Sequence, residues 1–314
     1  MNQILKNEIE KFGALPEWGK LNDKDFNKLG YEIAIKRATQ DMTPRTLSPK
    51  DKTKKTALCE AFLNLPDTEI EGYVGEESLL NVIEKYFSDN PKGSSESFDE
   101  WHKTTCSNII LPAIRHFYTN RDTERTPVCY GKAQKILNIA LKCCYCLKGA
   151  RDKEDYFKYC HVPLDRFTLN WYKANGGKIT TEWSKLEFKD YKEIQDFIRE
   201  KDFRDIDQFD GLTPLQKEFM VWRLEIMKSS VMTINQCLGG IIDEDYATEY
   251  CKKHNVENDL KMAKVILGKT KINEIEDDND FISWLKKIRI DKKNRPSADF
   301  ILSQLSKYAE TEDT

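Results

Sequence analysis

One segment, YGKAQKILNIALKCCYCLKG (130–149), carries lysines where an amine can do chemistry. On a wheel of about 100° per residue, Ala133, Ile136, Leu137, Ala140, Leu141, Cys143, Cys144 and Leu147 cover well over half the circumference. A helix so widely apolar is buried on most sides. Lys132, Lys135, Asn138 and Lys142 fall in one arc of about 120°, shared with Ile139 and Cys146. Two readings of this arc are open. It faces solvent, with the lysine stems lying along the helix and the charges in water; or it lines a cleft, where desolvation favours the neutral, nucleophilic amine. Downstream lies YCHVPLDRFTLNWYKANGG (159–177). Pro163 sets an extended approach, and Asp165 is a suitable N-cap for a helix from Arg166 to Ala174. The short connection allows Asp165 and the lysine stripe to converge on one cleft. Phe167, Trp171 and Tyr172 lie on this second helix, as core aromatics or as platforms for a stacked base.

Other constellations point less sharply. Cys143-x-x-Cys146 with Cys160-His161 supplies four zinc-ligand types, but the first pair sits mid-helix and Cys144 interrupts it. Buried small hydrophobes are the expectation there, and no metal or other cofactor is expected. The four histidines, His102, His116, His161 and His254, show no paired spacing; His161 lies nearest the lysine–aspartate pair. The segment from Thr213 to Asn235 holds Leu215, Phe219, Trp222, Ile226 and Val231 at helical spacing. It reads as core, with Trp222 a possible stacking residue. Basic runs at Lys252-Lys253, Lys286-Lys287 and Lys292-Lys293 suit phosphate contacts or a solvated face, and the acidic run EIEDDND beside them weakens the first option. No GxxxxGK[ST], GxGxxG or GxSxG occurs, so nucleotide-fold and hydrolase readings lack a motif.

The elements that must position these residues read as all-α. Helical periodicity predicts helices near 3–12, 23–39, 54–64, 76–87, 97–119, 131–148, 165–174, 190–200, 214–235, 244–254, 258–267, 279–289 and 297–309. Pro112 should kink or split the fifth, and Gly149, Gly176-Gly177 and Gly268 mark helix ends. Residues 41–53, 88–97 and 119–128 read as linkers. With 314 residues the chain holds about two domains or lobes. Gly239-Gly240 divides a domain at 1–239, whose lobes meet near 120–175, from a lysine-rich helical subdomain at 240–314. Apolar runs are far shorter than the ~20 residues a membrane span needs, and no signal-peptide core opens the chain. Nine cysteines, three of them crowded together, predict reduced thiols in a cytoplasm. A net charge of −3 gives no global pull toward nucleic acid, so any such binding needs a local basic face.

A lysine near the start of a buried helix, followed by an aspartate opening the next, resembles the helix-hairpin-helix DNA glycosylases, most closely the archaeal 8-oxoguanine DNA glycosylase branch. That branch opens its catalytic helix with K-x-L-x-x-A-[VL]-K. Here Lys135-Ile136-Leu137-Asn138-Ile139-Ala140-Leu141-Lys142 matches it, and Val162-Pro163-Leu164-Asp165 matches the proline-containing approach to the catalytic aspartate. The resemblance implies two helical lobes around a cleft, Lys135 as nucleophile, Asp165 as its acidic partner, and substrate contacts from Lys132, Asn138, Lys142, His161, Trp171 and Trp222. The family's Gly-x-Gly hairpin is here Pro127-Val128-Cys129-Tyr130-Gly131, with one glycine, which leaves Lys132 as a rival for the catalytic position. The implied activity is excision of a damaged or modified base from DNA, with or without AP-lyase strand cleavage, in repair or in antiviral defence. The partner is then DNA carrying that base. The alternative is a non-enzymatic helical scaffold binding nucleic acid or protein, with the lysine stripe in solvent and Asp165 only a cap.

Overall fold

The computed structural model describes residues 3–15, 20–64, 69–120, 127–200 and 211–222. The helices at 244–254, 258–267, 279–289 and 297–309, the basic runs, Gly239-Gly240, Gly268 and the 240–314 subdomain lie outside the described residues, as does most of 214–235.

The described part is mostly helical: α1 (Gln3–Gly13), α2 (Lys28–Thr46), α3 (Ala57–Asn64), α4 (Leu79–Ser88), α5 (Ser95–Thr105), α6 (Leu111–Phe117), α7 (Tyr130–Tyr145), α8 (Arg166–Ala174) and α9 (Phe188–Glu200), with a further helical run at 214–222. Strands β1 (Leu47–Pro49) and β2 (Tyr118–Asn120) pair antiparallel, with Ser48 opposite Thr119. Among the described residues no helix is long and apolar enough to cross a membrane.

Local chemistry accounts for most of the boundaries. Asn27, Ser78, Ser94 and Asp165 each cap a helix with a side-chain oxygen. The predicted 97–119 helix keeps helical φ/ψ past Pro112 but changes its winding there. The proline ring nitrogen has no proton to donate, and a π-helical turn, Cys106–Ile110, sits just before it, where the Leu111 N–H reaches back to the Cys106 carbonyl. Gly149 takes a left-handed φ of 87° after α7. Two expectations need correction. Residues 41–46 are not linker but the last turns of α2, which runs through Pro44 before β1 begins. Residues 150–157 fold as a 3₁₀ helix where none is predicted.

The centre of the fold is α7, packed along α2. On α2 the buried positions Tyr31, Ala34, Ile35, Ala38 and Met42 recur at helical spacing and form the seam. On its other flank, α7 meets the segment 183–186. The Gly131 N–H donates to the Leu186 carbonyl at 2.8 Å, and a β-carbon at Gly131 would stand 1.9 Å from the Trp183 carbonyl oxygen. Only glycine allows that approach. Gly131→Ala should therefore lower stability by about 1–3 kcal/mol through overpacking against backbone, visible as a fall in thermal midpoint of the full-length protein; an unchanged midpoint would show that the 183–186 segment yields freely.

Candidate active site at the Lys135 amine

The polar arc of α7 is buried, not solvent-facing: Lys132, Lys135, Asn138 and Lys142 are all largely hidden. The four side chains go to separate places, each with its own partner.

Lys132 donates its ammonium to the Thr46 carbonyl at the end of α2. This takes it away from Asp165, so the geometry does not pair Lys132 with the carboxylate as a rival nucleophile would require. The Gly131 N–H, the one glycine amide within 127–131, is used on Leu186 and not left for a phosphate.

Lys135 and Asp165 do converge. The Lys135 Nζ is 4.0 Å from Asp165 Oδ2 and 3.0 Å from Asp41 Oδ2, and 4.8 Å from the centre of the Trp183 ring. Side-chain exposures of 10% for Lys135, 15% for Asp41 and 23% for Asp165 make a cluster mostly removed from water yet still reached by it. Asp165 is fixed there by its chain. Its Oδ1 accepts the N–H groups of Phe167 at 2.8 Å and Thr168 at 3.1 Å, a capping arrangement completed by the Thr168 hydroxyl accepting from the Asp165 N–H. The extended approach to it is clamped on both sides. Gln195 of α9 exchanges two hydrogen bonds with Val162, at 3.1 and 2.8 Å. Gln134 of α7 accepts from the Leu164 N–H at 3.2 Å and donates to its carbonyl at 3.0 Å. Asp41 and Trp183 were missed by sequence reasoning. Asp41 lay inside a supposed linker, and Trp183 belongs to a short 3₁₀ turn, Trp183–Lys185, with no periodicity.

Asn138 and His161 are not at this cluster's surface. They belong to a buried polar network. Asn138 Oδ1 is 2.9 Å from His102 Nε2, and its amide nitrogen is 2.9 Å from the Tyr191 hydroxyl. That hydroxyl is 2.7 Å from His161 Nδ1, and His161 Nε2 is 2.6 Å from Asp99 Oδ1. Arg199 forks onto the same carboxylate, with Lys192 at 3.1 Å. One proton assignment has Tyr191 donating to His161 and His161 donating to Asp99, with Arg199 Nη2 2.6 Å from the same His161 nitrogen, and His102 donating to Asn138 and accepting from Tyr130. Burial holds the His161 imidazole down to about 4 and His102 well below its ordinary value. Burial alone would raise the Asp99 carboxyl, but the hydrogen bonds from His161 and Arg199 outweigh it and hold the group well below the usual range. Placing Asn138 and His161 in contact with substrate is thus not what the geometry does; both are internal.

Lys142 makes a fully buried ion pair with Glu218. Its Nζ lies 4.0 Å from the ring centre of Phe12, 4.6 Å from that of Phe219 and 5.2 Å from that of Trp222. Burial raises the Glu218 carboxyl even with Lys142 beside it. Trp222 is half-buried in this aromatic box, edge-on to Phe12. Trp171 is completely buried, packed edge-on to Phe197. The described cysteines are free thiols. Among the described residues, no group of three or more His, Cys, Asp or Glu is arranged to hold a metal ion.

No family model, curated protein or solved structure matches the chain.

Two stability tests follow from the buried charges. Replacing Lys142 with Met leaves Glu218 buried without its cation, and should cost about 3–5 kcal/mol; adding Glu218→Leu should return most of it. Urea midpoints of the two variants check this, and a double variant no better than the single would sink it. The second test is acid titration. His161 binds its proton less readily folded than unfolded, where its pKa is near 6.5, so the unfolded state takes up more protons and stability falls as pH drops from about 6.5 to about 4. The loss from this residue is about 3 kcal/mol. Asp99, held down, adds a further loss below about pH 4. His161→Asn should flatten the upper part of the profile; an unchanged slope between pH 6.5 and 4 would contradict it.

Proposed function

We propose that the chain is a DNA glycosylase with AP-lyase activity, acting on DNA that carries a damaged or modified base, in repair or in defence against modified foreign DNA. The helices would then form two lobes about the Lys135 cluster, in a cytoplasmic protein. One observation carries this reading: a mostly desolvated lysine amine held between carboxylates, one of which opens a helix and is locked there by its own cap. Removing a base from a nucleoside needs a nucleophile at the anomeric carbon and negative charge facing the sugar as it becomes cationic. Lys135 supplies the first and Asp165 the second. The target nucleotide must leave the stack to reach an amine so placed, which is cheapest for damaged or mispaired bases. The Lys135 nitrogen then bonds to C1′ as the base departs with the glycosidic electron pair and takes up a proton, and ring opening leaves an imine.

The scaffold alternative relied on a lysine stripe in solvent. With that stripe buried, it retains only the structural use of the ion pairs.

Borohydride trapping separates the two. Duplex and single-stranded DNA carrying 8-oxoguanine, other lesions and hydroxymethylated or glucosylated pyrimidines are incubated with the protein, and covalent adducts are scored. We expect an adduct from the natural chain and from Lys132→Gln, none from Lys135→Gln, and about 10²–10⁴-fold slower formation with Asp165→Asn. An adduct that persists in Lys135→Gln, or the absence of both adduct and released base across the panel, would overturn the assignment and leave the scaffold.

A further inference from the structure

The two carboxylates at Lys135 are not equivalent. Asp165 Oδ1 is occupied by two backbone N–H groups, and its Oδ2 stops 4.0 Å from the amine, beyond hydrogen-bond reach. Asp41 Oδ2 is at 3.0 Å, within reach of direct proton transfer. That distance is set by rigid elements. Asp41 sits on α2 between the fully buried Ala38 and Met42, so the same seam that joins α2 to α7 holds the carboxylate against the amine. Water reaches the pair only through the small exposed fraction of each side chain. A sugar laid over the cluster would remove that water, and desolvation disfavours an ion pair relative to its neutral partners.

We propose that Asp41 is a catalytic residue that takes and returns the Lys135 proton, and that Asp165 serves as the fixed charge. This rests on the glycosylase–lyase reading. On an abasic-site sugar the step runs as follows. The Lys135 ammonium gives one proton to the Asp41 carboxylate. The freed lone pair bonds to C1′ of the aldehyde, and the carbonyl oxygen, now carrying the electron pair, takes the proton back from Asp41. Nitrogen passes a second proton to Asp41. The hydroxyl leaves with its bonding pair and that proton, as water, while the nitrogen lone pair closes the C=N bond. Asp41 ends as it began, and nothing is oxidised or reduced until hydride from borohydride adds to the imine.

The test is the pH dependence of trapping on a duplex oligonucleotide with one abasic site, which needs no knowledge of the base. With the natural chain we expect a rate that changes little between pH 6 and 8.5. Asp41→Asn should be about 10²–10⁴-fold slower at pH 7, with a rate that climbs about tenfold per pH unit because solvent must remove the proton. Asp165→Asn should be slow without that climb. Asp41→Ala should recover as formate is added, a response that lost packing would not give. Natural-chain trapping with an Asp41→Asn profile of the same rate and shape, or slowed equally at every pH with no formate rescue of Asp41→Ala, overturns the role of Asp41 alone. If Asp41→Asn does not fold, the formate response of Asp41→Ala decides, and if that does not fold either, Asp41→Glu must keep the flat profile for the role to stand. No trapping by the natural chain overturns the lyase reading itself, and the role of Asp41 with it.

Discussion

The structure turns on a helix almost wholly withdrawn from water. α7 is enclosed by α2, by the π-turn before α6, by the 183–186 segment and by α9, yet it carries three lysines, a glutamine and an asparagine. A polar group taken out of water costs free energy unless its partners are supplied, and a charge costs far more. Each neighbour of α7 therefore has to bring a specific counterpart. α2 brings the Thr46 carbonyl for Lys132 and the Asp41 carboxylate for Lys135. The run 214–222 brings Glu218 for Lys142. α9 brings Tyr191 for Asn138. The approach to α8 brings two backbone carbonyls, one for Gln134 and one for Asn138. These pairings fix which way each element faces, because an apolar seam alone tolerates sliding, whereas an ion pair at 3.0 Å does not.

Within that constraint, Lys135 differs from its two companions. Lys132 and Lys142 are fully employed, one on a carbonyl and one on a carboxylate within an aromatic box. Each has the partner its burial demands. Lys135 faces two aspartates, with an indole over the same nitrogen. Carboxylates grouped beside an amine are what a site gains from if positive charge appears on something not yet bound.

Much of this was legible in the sequence, and the parts that were not have a common cause. The width of the apolar surface on 131–148 announced a helix buried almost all round. Asp165 announced a cap, and Pro112 marked where the winding changes between α5 and α6. These are local signals, written within one or two turns. The direction of the lysine arc was not local. It depended on Asp41, Thr46, Tyr191 and Glu218, which lie far along the chain and reach α7 only through packing. Asp41 was hidden twice over. Pro44 and Pro49 made its surroundings look like linker, and a lone aspartate near a helix end usually reads as solvated. The 3₁₀ helix at 150–157 has charges at every position from Arg151 to Asp155 and carries no apolar period to find.

Trp183 shows why even a complete list of polar partners would not have located the cluster. Its indole stands over Lys135 because its own carbonyl lies against Gly131, one helical turn earlier on the same face of α7. The glycine thus does in this fold something other than what a hairpin glycine does for a phosphate. It gives up its N–H to Leu186 and its missing β-carbon to Trp183, and in exchange an aromatic ring is brought down onto the amine. Any DNA backbone held near this site must then be gripped by groups other than the Gly131 amide.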